Sequence, residues 1–201
     1  MASSKMTNKP VYQALTPDAS GLRHVLIAHG QGGDAICRLY KSFGDDGAPI
    51  EIHYASESIL GANRSAQVQA LLAEKTSIHA SCGELEEALR TLLESSQMGI
   101  RLYVCGTERF IWDISNLARE FGIQNDEILQ EQADSQQRQV ACVHCNTLNY
   151  PVRTNLVRCA GCDRQLLVRD HFSCRINAYM GLQIDAEVPG EIPAIVEAYL
   201  P

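Results

Sequence analysis

Two Cys-x-x-Cys pairs in the last third of the chain restrict its fold more than any other feature. The pairs are Cys142 with Cys145 and Cys159 with Cys162, and 13 residues separate them. Each pair offers two thiolates on one side of a tight turn, and two such turns make a tetrahedral cage of four sulfur ligands. That donor set suits Zn²⁺ or a single iron ion. The sequence therefore predicts a small metal module, with Gly161 fitting the turn of the second pair.

The ligand set leaves zinc and iron open, because a structural zinc cage and a rubredoxin-like iron site use the same four thiolates. Zinc is favoured, since closed cages most often serve structure. A plant-type [2Fe–2S] cluster needs another cysteine spacing, which this chain lacks. The alternative to metal binding is two unrelated reduced pairs, but so small a module has little core to fold on without metal. We expect His144, which lies between two ligands, to be exposed.

The charge balance narrows the function classes. The 201 residues include 17 Lys and Arg against 24 Asp and Glu, a net charge of -7. A protein that wraps nucleic acid needs clustered positive charge, so we expect no nucleic-acid partner. Apolar runs are far shorter than the roughly 20 residues that cross a bilayer, and the first ten residues lack the apolar stretch of a signal peptide. We predict a cytoplasmic protein with no membrane contact and with reduced cysteines.

Short apolar runs alternate with amphipathic segments between residues 24 and 129. The expected strands cover residues 24–28, 50–55, 76–80 and 100–104, and the expected helices cover residues 34–43, 62–74, 85–93 and 110–121. This alternation predicts an α/β fold with an open parallel sheet covered on both faces. Ser81 and Glu84 have the spacing of a capping box at the start of the third helix.

The carboxyl ends of parallel strands meet at one edge of the sheet, where ligands bind. Residues 29–33, 55–58 and 105–107 should converge there. Gly30, Gly32 and Gly33 would let backbone amides approach a pyrophosphate at a helix start. A turn that needs glycine only for packing is an equally good interpretation of this stretch.

The other side of the same crevice is expected to consist of Cys105, Gly106 and Thr107, where a nicotinamide would lie. The alternative for Cys105 is a small buried thiol that only packs. Ser56 and Ser58, with Arg64, could accept a 2′-phosphate. Simple solvation of that loop is the favoured interpretation for these three residues.

The chain is expected to have four parts. Residues 1–21 form a loose N-terminal arm, residues 22–131 form the α/β domain, residues 132–140 form a polar linker, and residues 141–201 form the metal module with a tail. The two cysteine pairs echo each other, and no other internal repeat is evident.

The α/β part resembles the NAD(P)-binding domain of ferredoxin–NADP reductase-type flavoproteins, especially the phthalate dioxygenase reductase branch. The matching strings are Leu-Tyr-Val-Cys-Gly at 102–106, Glu-Ile-Leu-Gln-Glu-Gln at 127–132 and His-Tyr-Ala at 53–55. The resemblance implies an NADPH-binding fold. The chain departs from the family in the glycine loop and in having Thr107 where a proline is common. A flavin barrel would have to precede residue 22, so we expect no flavin on this chain.

The whole chain resembles the A subunit of dimethylamine monooxygenases, the haem-dependent oxidative N-demethylases. The double cysteine pair, Val-Arg-Asp-His-Phe at 168–172 and Asp-Ala-Glu-Val-Pro-Gly at 185–190 carry this resemblance. It implies a haem-containing oxygenase subunit that converts dimethylamine with O2 to methylamine and formaldehyde. It also implies a reductase subunit with FMN and a [2Fe–2S] cluster that takes electrons from NADPH.

The resemblance gives this chain an accessory or electron-transfer role without a catalytic residue of its own. The alternatives are a zinc-ribbon protein adaptor and a rubredoxin-like electron carrier. The polar triplet Arg169, Asp170 and His171 either contacts a partner subunit or forms a hydrogen-bonded lid on the metal module.

Overall fold

The computed structural model describes residues 9–44, 47–57, 63–71, 73, 75–133, 137–185 and 192–197. These residues form two compact units. One, the α/β unit, lies within residues 12–133, and the other, the metal unit, comprises residues 9–11 together with 137–185 and 192–197. None of the helices described in these ranges combines the length and the apolar character that crossing a bilayer requires.

The α/β unit is built on a parallel sheet. Its strands among the described residues are β1 (Arg23–His29), β2 (Ile50–Ala55), β3 (Lys75–His79), β4 (Ile100–Gly106) and β5 (Ile128–Gln132). Their order is β3-β2-β1-β4-β5, and each neighbouring pair is parallel. The predicted α/β fold with a parallel sheet is thus confirmed.

The connections of this sheet are helical. The helices are α1 (Gly32–Ser42), α2 (Ser65–Gln69), α3 (Cys82–Glu94) and α4 (Glu108–Glu120), and a single 3-10 turn covers Asn125–Glu127. Side-chain caps begin the two longest helices. Ser81 Oγ accepts from the Glu84 N–H at 3.2 Å, and Thr107 Oγ1 accepts from the Phe110 N–H at 3.3 Å. The Glu84 carboxylate accepts from the Ala80 N–H at 2.9 Å, one residue before the position that a capping box uses.

Apolar side chains fill both faces of the sheet. The face under α3 and α4 includes Val25, Ile27, Leu85, Leu89, Leu102, Val104, Ile111 and Ile114. The face under α1 and α2 includes Leu26, Ile36, Leu39, Ile52, Tyr54, Val68 and Tyr103. Burial of the strands on both sides explains their continuous apolar runs, because a parallel sheet exposes neither face to water.

The strand order reverses between β1 and β4. From β1 the chain moves outward through β2 and β3, and then returns to the other side of β1 as β4. A crevice forms outside the carboxyl ends of the two strands on either side of such a switch point. The glycine turn after β1 and the Cys105–Thr107 segment therefore share one edge of the sheet.

Strand β5 was not predicted, because its last three residues, Gln130, Glu131 and Gln132, are polar. Its parallel pairing with β4 and its side-chain partners compensate for the missing apolar character: Gln130 Nε2 donates to Ser115 Oγ at 2.8 Å, and Glu131 pairs with Arg38 at 2.5 Å. The second helix is also shorter than expected, since α2 spans Ser65–Gln69 only. Residues 62, 72 and 74 of the expected helix lie outside the described residues.

Residues 12–21 were expected to form part of a loose arm. In the structure they belong to the α/β unit and pack against its sheet. Leu15 is 5% exposed and belongs to the α1-side core. Its N–H donates to Glu131 Oε2 at 2.6 Å, and the Asp18 N–H donates to the Tyr103 hydroxyl at 2.9 Å. Arg101 Nε donates to Asp18 at 2.7 Å. Residues 1–8 lie outside the described residues.

The metal unit contains a second sheet. Its strands among the described residues are β6 (Arg138–Cys142), β7 (Leu148–Val152), β8 (Leu156–Arg158), β9 (Gln165–Ser173) and β10 (Ala178–Gln183), in the order β7-β6-β10-β9-β8. Strands β6 and β10 are parallel, and the other neighbours are antiparallel. The expected linker, residues 132–140, is therefore partly strand: residue 132 ends β5, and residues 138–140 begin β6. Residues 134–136 lie outside the described residues.

Candidate metal centre

The four cysteine sulfurs predicted as ligands converge at one end of the second sheet. The ligand atoms of Cys142, Cys145, Cys159 and Cys162 all lie within 4.8 Å of one another. Sulfurs from different pairs make the short contacts: Cys142 Sγ to Cys162 Sγ is 3.7 Å, and Cys145 Sγ to Cys159 Sγ is 3.5 Å. The spacing of four sulfurs around one centre fits a single tetrahedral metal ion.

The two cysteine pairs have the same backbone geometry. In the first, the Asn146 N–H donates to the Cys142 carbonyl at 2.9 Å, and in the second, the Asp163 N–H donates to the Cys159 carbonyl at 2.9 Å. Asn146 and Asp163 both have φ of 60°. Asn and Asp tolerate this left-handed conformation better than other side chains. The residue after each pair is thus a sequence signal that the spacing argument missed.

Gly161 is required by close packing between the two turns. A Cβ at Gly161 would lie 2.1 Å from Thr147 Oγ1 and 3.2 Å from Cys145 Sγ. Thr147 Oγ1 also lies 3.2 Å from Cys145 Sγ, so the Thr147 side chain lies beside a ligand sulfur as well as beside Gly161. His144 is exposed, as the sequence predicted.

Hydrogen-bond donors around the second cysteine pair favour its thiolate form. Burial opposes ionisation of Cys159, but N–H groups of Cys162 and Gly161 donate to its sulfur and lower its pKa to about 6. The backbone and side-chain N–H groups of Arg164 lower the pKa of Cys162. Burial dominates at Cys142 and raises its pKa to about 11. A metal binds the deprotonated form of cysteine. The N–H donors therefore favour metal binding at Cys159 and Cys162 by stabilising their thiolates.

The quartet has a buried and an exposed side. Cys142 and Cys159 are buried, Cys162 is half-buried, and Cys145 is exposed. The associated apolar cluster is small, with Leu166 as the fully buried aliphatic member. Four converging sulfurs with N–H donors around them fit a structural Zn²⁺ or a single iron ion, and these cysteines would hold it.

The residues predicted to bind a dinucleotide come together at the switch point of the α/β unit. A Cβ at Gly32 would lie 2.4 Å from the Cys105 carbonyl oxygen and 3.1 Å from the Gly106 nitrogen. Gly30 has φ of 57°, and its carbonyl accepts from the Tyr54 hydroxyl at 2.9 Å. Close backbone approach thus requires glycine at position 32.

Side chains around this turn are engaged with one another. A Cβ at Gly33 would lie 2.6 Å from Arg64 Cβ. Arg64 Nε donates to both carboxylate oxygens of Asp34 in the first turn of α1, at 2.8 and 2.9 Å. Ser56 Oγ donates to the His79 carbonyl at 3.0 Å, and Ser58 lies outside the described residues. NADPH binding at the crevice, including Cys105, Gly106 and Thr107, stays a prediction.

The triplet Arg169, Asp170 and His171 lies exposed on β9. Asp170 Oδ1 lies 2.8 Å from Lys9 Nζ and 3.6 Å from Arg138 NH1. The carboxylate therefore ties this strand to residue 9 and to β6 within the metal unit. A contact of the triplet with a partner subunit stays a prediction.

A buried ionic network in the α/β unit was not predicted. His53 Nε2 donates to Glu51 Oε1 at 2.9 Å, and His53 Nδ1 lies 3.1 Å from His79 Nε2. Glu51 also pairs with Arg23 at 2.6 Å and Lys75 at 2.8 Å. The sequence contained part of this pattern, because Glu51 and His53 are two residues apart and therefore share one face of β2. The partners Arg23, Lys75 and His79 come from the neighbouring strands, so the full network could not be predicted from β2 alone.

Comparison with protein families decides the relationship of this chain. The model of the N-terminal domain of "Dimethylamine monooxygenase subunit DmmA-like" proteins matches residues 4–128, and the model of their C-terminal domain matches residues 139–182. The chain belongs to the DmmA-like family. The resemblance inferred from the cysteine pairs and the C-terminal strings is thereby confirmed.

One curated relative of this DmmA-like chain is the "Heme-dependent oxidative N-demethylase delta subunit" of Ectopseudomonas mendocina (strain ymp). The two are 38% identical over 109 residues, which cover 54% of this chain and 62% of the relative. The match thus spans less than two thirds of the relative's length.

Two solved structures are similar to the DmmA-like chain. Phthalate dioxygenase reductase, described as a modular structure for electron transfer from pyridine nucleotides to [2Fe–2S], is 14% identical with a TM-score of 0.44, over 66% of this chain and 44% of the reductase. An intact type IV self-sufficient cytochrome P450 monooxygenase is 21% identical with a TM-score of 0.45, over 63% of this chain and 18% of the monooxygenase.

Proposed function

We propose that this chain is a subunit of an oxidative N-demethylase complex and has an accessory or electron-transfer role in it. Family membership and the delta-subunit relative support assignment to such a complex. The observation that supports the role is the convergence of four cysteine sulfurs within 4.8 Å, because such a quartet can hold one metal ion for structure or for electron transfer.

The proposed complex divides the chemistry among its subunits. A haem-containing oxygenase subunit would convert dimethylamine with O2 to methylamine and formaldehyde. A reductase subunit with FMN and a [2Fe–2S] cluster would supply electrons from NADPH. This chain would join those subunits, and its four cysteines would hold Zn²⁺ that stabilises the metal unit, or iron that carries one electron.

Co-purification tests the assignment to the complex. The full chain with an affinity tag is expressed together with the proteins encoded beside it, and the eluate is examined for haem absorption. We expect a haem protein to elute with the chain at a fixed ratio. A chain that elutes alone, with the haem protein in the flow-through, would favour the adaptor hypothesis instead.

A turnover assay tests the division of labour. The purified chain is mixed with NADPH and a dye that accepts electrons, alone and with the reductase subunit. We expect NADPH oxidation only with the reductase present, because a hydride acceptor is needed on the protein that oxidises NADPH. Turnover by the single chain would contradict an accessory role and would place a flavin or an equivalent acceptor on it.

A binding titration tests the crevice separately. Calorimetric titration of the full chain with NADPH measures whether the turn of Gly30, Gly32 and Gly33 and the segment Cys105, Gly106 and Thr107 bind the dinucleotide. Heat that saturates at one NADPH per chain would support the crevice as a binding site. No heat at any NADPH concentration would leave the glycines with a packing role only.

A further inference from the structure

Asn149 connects the two halves of the cysteine quartet. It lies on β7 and is only 4% exposed. Its Oδ1 accepts from the Ala160 N–H at 2.8 Å, inside the second cysteine pair. Its Nδ2 lies 3.2 Å from the Thr147 carbonyl, next to the first pair. One buried carboxamide therefore touches both turns.

The same carboxamide also reaches a ligand sulfur. Asn149 Nδ2 lies 3.9 Å from Cys159 Sγ and 3.2 Å from the Val140 carbonyl. The orientation of the amide is determined by its partners. If the amide were flipped, its NH2 group would face the Ala160 N–H, donor against donor. Its oxygen would then face two carbonyl oxygens, acceptor against acceptor. The donor half therefore faces the Val140 and Thr147 carbonyls, with Cys159 Sγ as a third and longer contact.

We propose that Asn149 is a positioning residue of the metal centre, which sets the two cysteine pairs in register and holds its N–H groups next to the Cys159 thiolate, where their partial positive charge stabilises the sulfur. This inference rests on the proposed metal binding by the quartet. N–H donors to a ligand sulfur stabilise its charge and orient it toward the metal, and loss of such outer partners typically weakens metal binding about 10–100-fold.

Asn149→Asp isolates the donor half of the amide. The aspartate keeps an oxygen for the Ala160 N–H but turns an oxygen toward Cys159 Sγ and two carbonyls, so repulsion replaces attraction. Asn155→Asp is the matched control, because the Asn155 carboxamide also donates to a carbonyl and accepts from a backbone N–H, and both partners lie outside the cysteine pairs. Its Nδ2 donates to the Ala194 carbonyl at 3.1 Å, and its Oδ1 accepts from the Val196 N–H at 2.8 Å.

Co²⁺ is the probe, because its sulfur-to-metal charge-transfer absorption reports the ligand sulfurs directly. The full chain and both variants are titrated with Co²⁺, and Zn²⁺ is then added in competition. We expect Asn149→Asp to bind both ions about 10–100-fold more weakly than the Asn155→Asp control. At saturating Co²⁺ we also expect its charge-transfer band at longer wavelength, since a sulfur without its N–H donor gives up electron density more easily.

Equal affinity and equal band position in Asn149→Asp and Asn155→Asp would overturn the proposal. Weaker binding with an unshifted band would also overturn it, because the amide would then act on the fold and not on Cys159. If Asn149→Asp does not fold, Asn149→Ser is titrated under the same criteria. Failure of the proposed function looks different: the unsubstituted chain would itself show no charge-transfer band with Co²⁺.

Discussion

The two units of this chain are stabilised in different ways. The α/β unit buries apolar side chains on both faces of its sheet, with two clusters that include Ile27, Leu102 and Tyr103. The metal unit buries fewer apolar side chains, among them Val140 and Phe172. A domain this small commonly needs a metal or disulfides in addition to its apolar core. We therefore expect metal removal to unfold one unit and spare the other.

The lone tryptophan makes this difference measurable. The sequence has one Trp, and Trp112 lies in α4 of the α/β unit with 7% of its surface exposed. Its Nε1 donates to the Tyr12 hydroxyl at 2.9 Å. Trp112 fluorescence therefore reports unfolding of the α/β unit, while metal content and proteolysis within residues 140–175 report on the metal unit.

Cys142→Ser should have the largest effect. Loss of a buried ligand should release the metal and unfold residues 140–175, because structural zinc contributes about 10–16 kcal/mol of binding free energy to such modules. Trp112 fluorescence should keep its unfolding midpoint. Cys174→Ser is the control, since Cys174 is exposed and outside the quartet. Retained metal and unchanged protease resistance in Cys142→Ser would contradict the account.

Leu15→Ala should destabilise only the α/β unit. Leu15 is 5% exposed in the α1-side core, and truncation of a buried leucine costs about 2–5 kcal/mol. Denaturant unfolding followed by Trp112 fluorescence measures the loss, and metal content should not change. Leu22→Ala is the matched control, because Leu22 is 71% exposed. Equal losses in both variants would mean that residues 12–21 do not complete this core.

Gly32→Ala should destabilise the α/β unit by a smaller amount. The new methyl would lie 2.4 Å from the Cys105 carbonyl, and overpacking of this kind costs about 1–3 kcal/mol. Gly83→Ala is the control, because its Cβ would meet only Ser81 Oγ, at 3.9 Å. Alanine in a helix should there raise stability by about 0.4–1 kcal/mol. Two variants of equal stability would refute close packing of β4 against α1.

Acidification should give the smallest effect in the α/β unit. Burial lowers the pKa of His53 below its usual 6.5, so the unfolded chain takes up a proton that the folded chain resists. Stability from this residue is present above pH 6.5 and is lost as pH falls below that value. Trp112 unfolding midpoints between pH 8 and pH 5 measure the loss. His53→Gln should make the profile less steep, with His24 and His79, whose pKa values burial also lowers, retaining part of the loss, and exposed His171→Gln should leave it unchanged.

Much of the metal centre could be predicted from sequence, because ligand spacing within a pair is a property of a short turn. Cys142 and Cys145 lie close in any tight turn, and the same holds for Cys159 and Cys162. Asn149 could not be found in this way. Its contacts at Val140 and Ala160 depend on which strands pair, and no local pattern reveals that pairing.

The α/β fold was predictable where burial is two-sided. Strand β1 contains its expected residues 24–28, since the segment from Val25 to Ala28 is an apolar run that is fully buried between the two helical layers. Strand β5 was missed because Gln130 and Glu131 obtain their partners from α4 and α1. Residues 12–21 were misjudged for the same reason, because their contacts combine two apolar side chains, Tyr12 and Leu15, with hydrogen bonds that depend on distant partners.

Metal analysis of the purified full chain tests the central claim most directly. Protein prepared without oxygen is analysed for zinc and iron, and its visible spectrum is recorded. The account predicts one metal ion per chain, colourless for Zn²⁺ or red for iron with four thiolate ligands. Protein that is folded in residues 140–175 and contains neither metal would contradict a thiolate cage as the basis of this unit.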